Sequence, residues 1–249
     1  MTLPHILLLV GAAFVAGVMN AVAGGGSFLT FPALVFAGIP SVMANATSTV
    51  ALFPASLAAA WAYRHDFPRI EGLRASTLLA ISLAGGIVGA LLLIFTPERT
   101  FDSIVPWLLL AATTLFATNR RLIPWLKRNV HTGPRWLGVV QFAIAIYGGY
   151  FGGAVGIMML ALFGLLGVSQ IHAANALKTL LSGALNAVAV VCFISAGKVD
   201  WLPAAIMVVS AVAGGYAGAR VARGMNPEHI RTSIIVIGVA MTLAFFLRQ

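Results

Sequence analysis

A single cysteine, Cys192, stands in this chain of 249 residues. That excludes a disulfide framework and a cysteine-rich metal site, and Cys192 itself, inside an apolar run, reads as a small packing residue. Acidic residues are nearly as scarce. The six present, Asp66, Glu71, Glu98, Asp102, Asp200 and Glu228, all fall between apolar segments or at the start of one. No carboxylate is left inside those segments for a cation site or an acidic proton relay, and neither a cofactor nor a metal is expected. Charge of either sign is thin at 8% of residues, whereas 60% are hydrophobic, with a mean hydropathy of +0.99. That balance excludes an ordinary soluble domain.

What is present is a series of apolar stretches long enough to cross a hydrocarbon core of about 30 Å, which takes about 20 helical residues. Few show the alternation of a barrel strand. The expected fold class is an all-α membrane protein, with the lipid bilayer as a partner. The formal charge of +9 resides in loops between apolar segments, so it reports topology and not a nucleic-acid partner. The amino end lacks a basic leader region and runs directly into more apolar sequence, so it is read as a retained helix.

Ten segments are expected in two sets of five. The first set is A (His5 to Ala23), B (Ser27 to Ala37), C (Val42 to Tyr63), D (Ala75 to Phe95) and E (about Pro97 to Ala117). A basic stretch with five Lys or Arg between Asn119 and Arg135 marks the midpoint. Then follow A′ (Trp136 to Ala154), B′ (Ile157 to Leu166), C′ (Gln170 to Ala196), D′ (Trp201 to Val221) and E′ (Pro227 to Leu247). A shift of about 130 residues superimposes the two sets: Ala84 to Ala90 lies over Ala213 to Ala219 with five of seven identical, Pro97-Glu98 over Pro227-Glu228, Asn45 over Asn175, Thr49 over Thr179 and Gly26 over Gly156. Matched Pro-Glu and Asn pairs at one offset indicate duplication, one transmembrane domain over 1–249 built of repeats 1–120 and 121–249. The Pro-Glu pairs suit helix starts, with Thr96 and Asn226 as caps.

Loop charges orient the halves. The C–D loop carries Arg64, Arg69 and Arg74 against only Lys198 in its counterpart, while the D–E loop has only Arg99 against Arg220, Arg223 and Arg231. With Lys and Arg enriched inside, corresponding loops face opposite sides. The halves are therefore expected to be inverted repeats of five segments, with both termini outside. B and B′ are short enough to be re-entrant.

Short, glycine-broken segments at matching places mark a transport site. The breaks are Ala21 to Phe28, containing Gly25, Gly26 and Ser27, and Gly148 to Ile157, containing Gly156. Helix amides opening there present positive dipole ends. For Gly85, Gly86, Gly89 and their D′ partners, close helix packing is the better account. Lys178 is the one basic residue well inside an apolar segment, and charge at that depth points to function. Around it the expected substrate-binding set is Asn175, Thr179, Asn45, Ser48, Thr49 and Thr47, with Gly25, Gly26, Ser27 and Gly156 from the breaks. One ammonium among neutral donors has the composition of a site for a small anion. His172 is a possible proton-linked residue, and Asn186, Asn20 and Tyr150 are weaker site candidates. Pro54 should kink C.

The runs "AGVMNAVAGGGSFLTFPAL", "GIP" with "ANATST" after it, "YGGYFGGAVG" and "HAANALKTLLSGALNAVAVVCF" resemble the paired motifs of the sulfite exporter family TauE/SafE, and the likeness extends through both halves. The resemblance implies a permease of the bacterial inner membrane that exports sulfite, sulfoacetate or another small sulfur-containing anion. Many members carry Asn-Lys where this chain has Ser48-Thr49, so one cation stands here where those relatives have two. The resulting expectation is a secondary carrier working by alternating access, with no enzymatic activity. A passive anion channel is the alternative, an intramembrane enzyme using Ser27 and His172 is more remote, and a homodimer is possible.

Overall fold

The computed structural model describes residues 1–22, 25–62, 74–129, 133–166, 168, 170–221 and 227–247. Among these the regular structure is all helix: α1 (Leu3–Val22), α2 (Ser27–Phe36), α3 (Ser41–Ala62), α4 (Ala75–Phe95), α5 (Glu98–Asn129), α6 (Pro134–Tyr150), α7 (Val155–Leu165), α8 (Ile171–Ser195), α9 (Trp201–Val221) and α10 (Pro227–Leu247). Four described stretches are long and apolar enough to cross a membrane, Leu3–Asn20, Ala75–Phe95, Glu98–Asn119 and Ala173–Ser195. The chain is a multi-pass membrane protein. Gly24, Arg64, Asp66, Arg69, Glu71, Arg223 and Asn226 lie outside the described residues, as do the side chains of His172, Arg220, Glu228 and Arg231.

Segments A to E become α1 to α5 and A′ to E′ become α6 to α10, with α4, α9 and α10 bounded as expected. The largest departure is α5. It runs 32 residues, continuing through the basic stretch to Asn129, because Lys and Arg are good helix formers and need no loop. Arg121, Trp125 and Arg128 are exposed on this extension. A second departure concerns Thr96. Its hydroxyl donates to the Leu92 carbonyl at 2.6 Å, satisfying an orphan acceptor at the end of α4 and not capping α5. Glu98 reaches sideways, its carboxylate accepting the Val42 amide of α3 at 3.0 Å. The α3 helix runs through Pro54.

The helices interlace. The most extensive contacts are α1 with α9 and α4 with α6, followed by α4 with α8, α3 with α8 and α3 with α9. Exchanging α1–α5 for α6–α10 maps these principal pairings onto one another: α1·α9 becomes α6·α4, α3·α9 becomes α8·α4, and α3·α8 maps onto itself. Each half's first helix therefore packs on the other half's fourth. Glycine permits the approach. A Cβ on Gly17 would strike the Ala211 carbonyl and one on Gly214 the Phe14 carbonyl, across α1·α9. Across α4·α6, a Cβ on Gly89 would strike the Ile146 carbonyl and one on Gly149 the Gly86 carbonyl. Small residues drive such crossings because lipid offers no hydrophobic incentive for helices to associate. Polar ties add to each seam. Ser210 donates to the Val10 carbonyl at 2.6 Å, and Gln141 Nε2 to Ser82 Oγ at 2.8 Å.

Candidate functional site

Both glycine breaks open onto one cavity. Between α1 and α2 the chain turns at Gly25, whose φ of +99° suits glycine; between α6 and α7 it turns at Gly152 (φ +81°) and at Ala154, a non-glycine residue at φ +60°. The helices that follow are short, 10 residues for α2 and 11 for α7, or roughly 15 Å each. In α2 the first bonds are Phe28 N to Gly25 O and Leu29 N to Gly26 O; in α7 they are Ile157 N and Met158 N to Ala154 O. The amides of Gly26, Ser27, Val155 and Gly156 have no backbone acceptor among the described residues. Such orphan donors, at the positive end of a helix, suit an anion.

The cavity, about 740 Å³ with its open mouth included, is lined by Asn20, Gly25, Gly26, Ser27, Thr49, Leu52, Ser56, Gly152, Val155, Gly156, Lys178, Thr179, Ser182, Leu185 and Asn186. One face of α8 supplies five of these at helical spacing, Lys178, Thr179, Ser182, Leu185 and Asn186. One face of α3 supplies Thr49, Leu52 and Ser56, each 130 residues before an α8 lining position. Among the described residues no Asp or Glu lines the cavity.

Lys178 dominates its electrostatics. It lies six residues into the membrane-spanning part of α8, about 9 Å along the axis, and is only 8% exposed. Its stem runs along the bare backbone of Gly156, where an added Cβ would sit 3.2 Å from Lys178 Cδ. Among the described residues no hydrogen bond or ion pair is made by the ammonium, which leaves its donors for whatever occupies the cavity. Gly156→Ala should therefore leave the fold intact, since a flexible stem can shift. Gly156→Val should displace the ammonium and weaken anion binding about tenfold, the worth of one well-placed hydrogen bond, as read by titration calorimetry on the purified variant.

Of the expected site residues, Lys178, Thr179, Thr49, Gly25, Gly26, Ser27 and Gly156 meet in the cavity lining. Asn45, Thr47 and Ser48 do not line it; they are engaged elsewhere. Asn45 is 2% exposed and donates from Nδ2 to the Tyr150 carbonyl at 2.8 Å. Thr47, fully buried, accepts the Asp200 amide ahead of α9 at 3.0 Å. Ser48, 1% exposed, meets Thr30 Oγ1 at 2.6 Å. Asn175 is half-buried and off the lining, its carbonyl accepting the Thr179 hydroxyl at 2.9 Å. His172 sits in the first turn of α8. Asn20 and Asn186 do reach the cavity, whereas Tyr150 points to Thr96, its hydroxyl donating at 3.4 Å. Ser56 and Ser182 were not singled out from sequence. Spacing could have found them, because Ser182 follows Lys178 by one helical turn and Ser56 pairs with Asn186 at the repeat offset.

A second cavity lies at the α2–α3 turn, lined by Gly38 to Ser41, Glu98, Arg99, Asp102, Ser103 and Phe245. Aromatic rings fill the space between the two. Phe245 stacks on Phe31 with centroids 5.6 Å apart, and Phe31 meets Phe151 edge-on at 5.8 Å and Phe101 at 6.1 Å. Phe151 adjoins Gly152, back at the first cavity.

Comparison with known proteins agrees with this architecture. A family profile described as sulfite exporter TauE/SafE matches residues 9–245. The chain is 28% identical over 250 residues to the probable membrane transporter protein ORF9 of Sinorhizobium sp, covering 96% of this chain and 92% of that one. It is 26% identical over 231 residues to the probable membrane transporter protein YfcA of Escherichia coli strain K12, covering 92% and 85%. A probable membrane transporter protein of Haemophilus influenzae is 28% identical over 239 residues, covering 95% and 92%. No solved structure gives a significant match.

Proposed function

The chain belongs to the sulfite exporter TauE/SafE family, and on that premise we propose that it is a secondary carrier that exports a small oxyanion, sulfite or an organosulfur anion such as a sulfonate, from bacteria by alternating access. One observation carries the reading: the buried Lys178 ammonium faces a cavity built by both glycine breaks and by matching faces of α3 and α8. Among the described lining residues, one cation, neutral amides and hydroxyls, and the amino ends of α2 and α7 make a binding surface for negative charge, with no carboxylate among them to oppose it.

Alternating access is supported by the interlaced pairing of α1–α5 with α6–α10 and by the lining that both sets contribute to the cavity. With α1–α5 and α6–α10 inserted in opposite senses, both termini lie outside, and the turn after α2 and the start of α5 share that outer side. The second cavity is then an outer vestibule, and the Phe31, Phe101, Phe151 and Phe245 cluster closes the path from it to Lys178. The repeat offset puts Ala161, Arg231, Ala21 and Leu115 in place of those rings, so among the described residues no matching ring cluster is expected on the inner approach. On this reading the arrangement is one closed toward the outside.

The test is a stabilisation screen of purified protein against sulfite, thiosulfate, sulfonates and carboxylates, followed by uptake of the hit into proteoliposomes. Saturable uptake that speeds up when the same anion is loaded on the far side is the expected carrier signature. Non-saturating flux indifferent to the far side would instead establish a channel.

A further inference from the structure

The two polar clusters at the repeat offset, Ala44 to Thr49 and Ala174 to Thr179, do different things with equivalent positions. Lys178 and Thr179 face the cavity. In the first cluster, Asn45, Thr47 and Ser48 each tie α3 to a different element: the end of α6, the start of α9 and the body of α2. Two of these ties end on the glycine breaks. Thr30 Oγ1 lies 3.2 Å from the Gly26 carbonyl and 2.6 Å from Ser48 Oγ, and both bonds form together when Thr30 donates to Gly26 and Ser48 donates to Thr30. The Gly26 carbonyl also accepts the Leu29 and Thr30 amides at 3.0 and 3.2 Å, so the relay from Ser48 through Thr30 adds a side-chain tie across to α3 to a peptide plane that α2 already holds in the first break. The carbonyl of Gly26 and the amide of Ser27 belong to that plane and point in opposite directions. Holding the carbonyl into α2 aims the Ser27 amide back toward the cavity. Asn45 does the same for the second break. It holds the Tyr150 carbonyl, the last of α6, while the Tyr150 ring rests edge-on against Phe101 at 5.6 Å and its hydroxyl on Thr96. From this pinned residue the chain departs through Gly152 to the amides of Val155 and Gly156.

We infer that Ser48 and Asn45 are positioning residues: the first-half cluster is a clamp that holds both glycine breaks in register with the anion site, while the second-half cluster supplies the charge. This rests on the reading of the Lys178 cavity as the substrate site. It explains why serine occupies the place equivalent to Lys178. The Ser48 position points into α2, where an ammonium would be buried beside Thr30 without an anion to meet.

The relay makes a demand that direct ligand contact would not. Thr30 is fully buried and does not line the cavity, yet Thr30→Ala must reproduce Ser48→Ala. Full-length protein in detergent is compared as wild type, Ser48→Ala, Thr30→Ala, the double variant, Thr30→Ser and Asn45→Ala. Two readouts are taken: hydrogen exchange of the segments 25–31 and 150–156, and affinity for sulfite and for methanesulfonate. Ser48→Ala and Thr30→Ala should each speed exchange in 25–31 but not in 150–156, and each should weaken anion affinity about fivefold, the range of one neutral hydrogen bond. The double variant should be no worse than either single one, and Thr30→Ser should behave as wild type. Asn45→Ala should speed exchange in 150–156 only. Unchanged exchange in both segments, or an affinity loss for Ser48→Ala that Thr30→Ala fails to share, would overturn the clamp. Lys178→Gln, run alongside, separates the two ideas: undiminished affinity there sinks the cavity as the site, while the exchange pattern still decides the clamp.

Discussion

Replacing Lys178 with glutamine should weaken binding of the transported anion by roughly a hundredfold, equivalent to about 2.7 kcal/mol, near the top of the range for hydrogen bonds to charged groups. The size follows from the setting. Lys178 is 8% exposed within a membrane-spanning helix, where screening by water is weak and an ion pair gains more than it would at a surface. The same burial predicts that the loss is not one of folding. A charge at this depth that no described residue pairs is costly, so Lys178→Gln should melt no lower than wild type. Melting temperature without anion, together with titration of sulfite and methanesulfonate, checks both halves of the statement. Lys178→Arg keeps the charge but asks a wider group to lie along Gly156, and should recover only part of the affinity. Full affinity in the glutamine variant would remove the proposed site.

The second large effect is structural. Gly89→Leu and Gly17→Leu should each eliminate folded, monodisperse protein, and even Gly89→Ala should cost at least about 3 kcal/mol, the upper end for overpacked cores. In each case the obstacle is a carbonyl of the neighbouring helix, Ile146 for Gly89 and Ala211 for Gly17. A backbone has no rotamer to change, so the helices must separate and give up the contacts along their length. Gly11→Ala is the control, because nothing lies within 4 Å of its added Cβ. It should be neutral or slightly stabilising, as expected for replacing a helical glycine. Size-exclusion profiles and melting curves of the four variants distinguish crowding at the crossings from a general intolerance of substitution.

Much of this architecture could be read from the chain. The ten segments were legible because apolar runs in a membrane protein are interrupted only where the backbone must turn, and Arg74, Thr96-Pro97 and Gly152 mark such places plainly. The role of Gly85, Gly86 and Gly89 in close packing was legible too, from small residues at helical spacing. The extension of α5 was not, since cations that normally mark a loop in such proteins also serve well in a helix at the membrane surface. Within the site, Lys178 was conspicuous because charge inside an apolar run needs a reason. Which of its polar companions face the same space was hidden. Ser48 and Lys178 hold equivalent places in the repeats, but one is turned toward Thr30 and the other toward the cavity. That choice depends on neighbours from distant parts of the chain, which no local pattern reports.

The interlacing of the halves bears on how the protein is made. The glycine face of α1 is completed by α9, which begins roughly 180 residues further on; at about 5–20 residues per second the ribosome needs about 10–40 s to deliver it. Over that interval the earliest helix waits in the bilayer with its closest-fitting partner unsynthesised, and α4 waits more briefly for α6. Helices α1–α5 could not mature alone, so a chain truncated before α9 should be left to membrane quality control rather than persist as a shortened carrier.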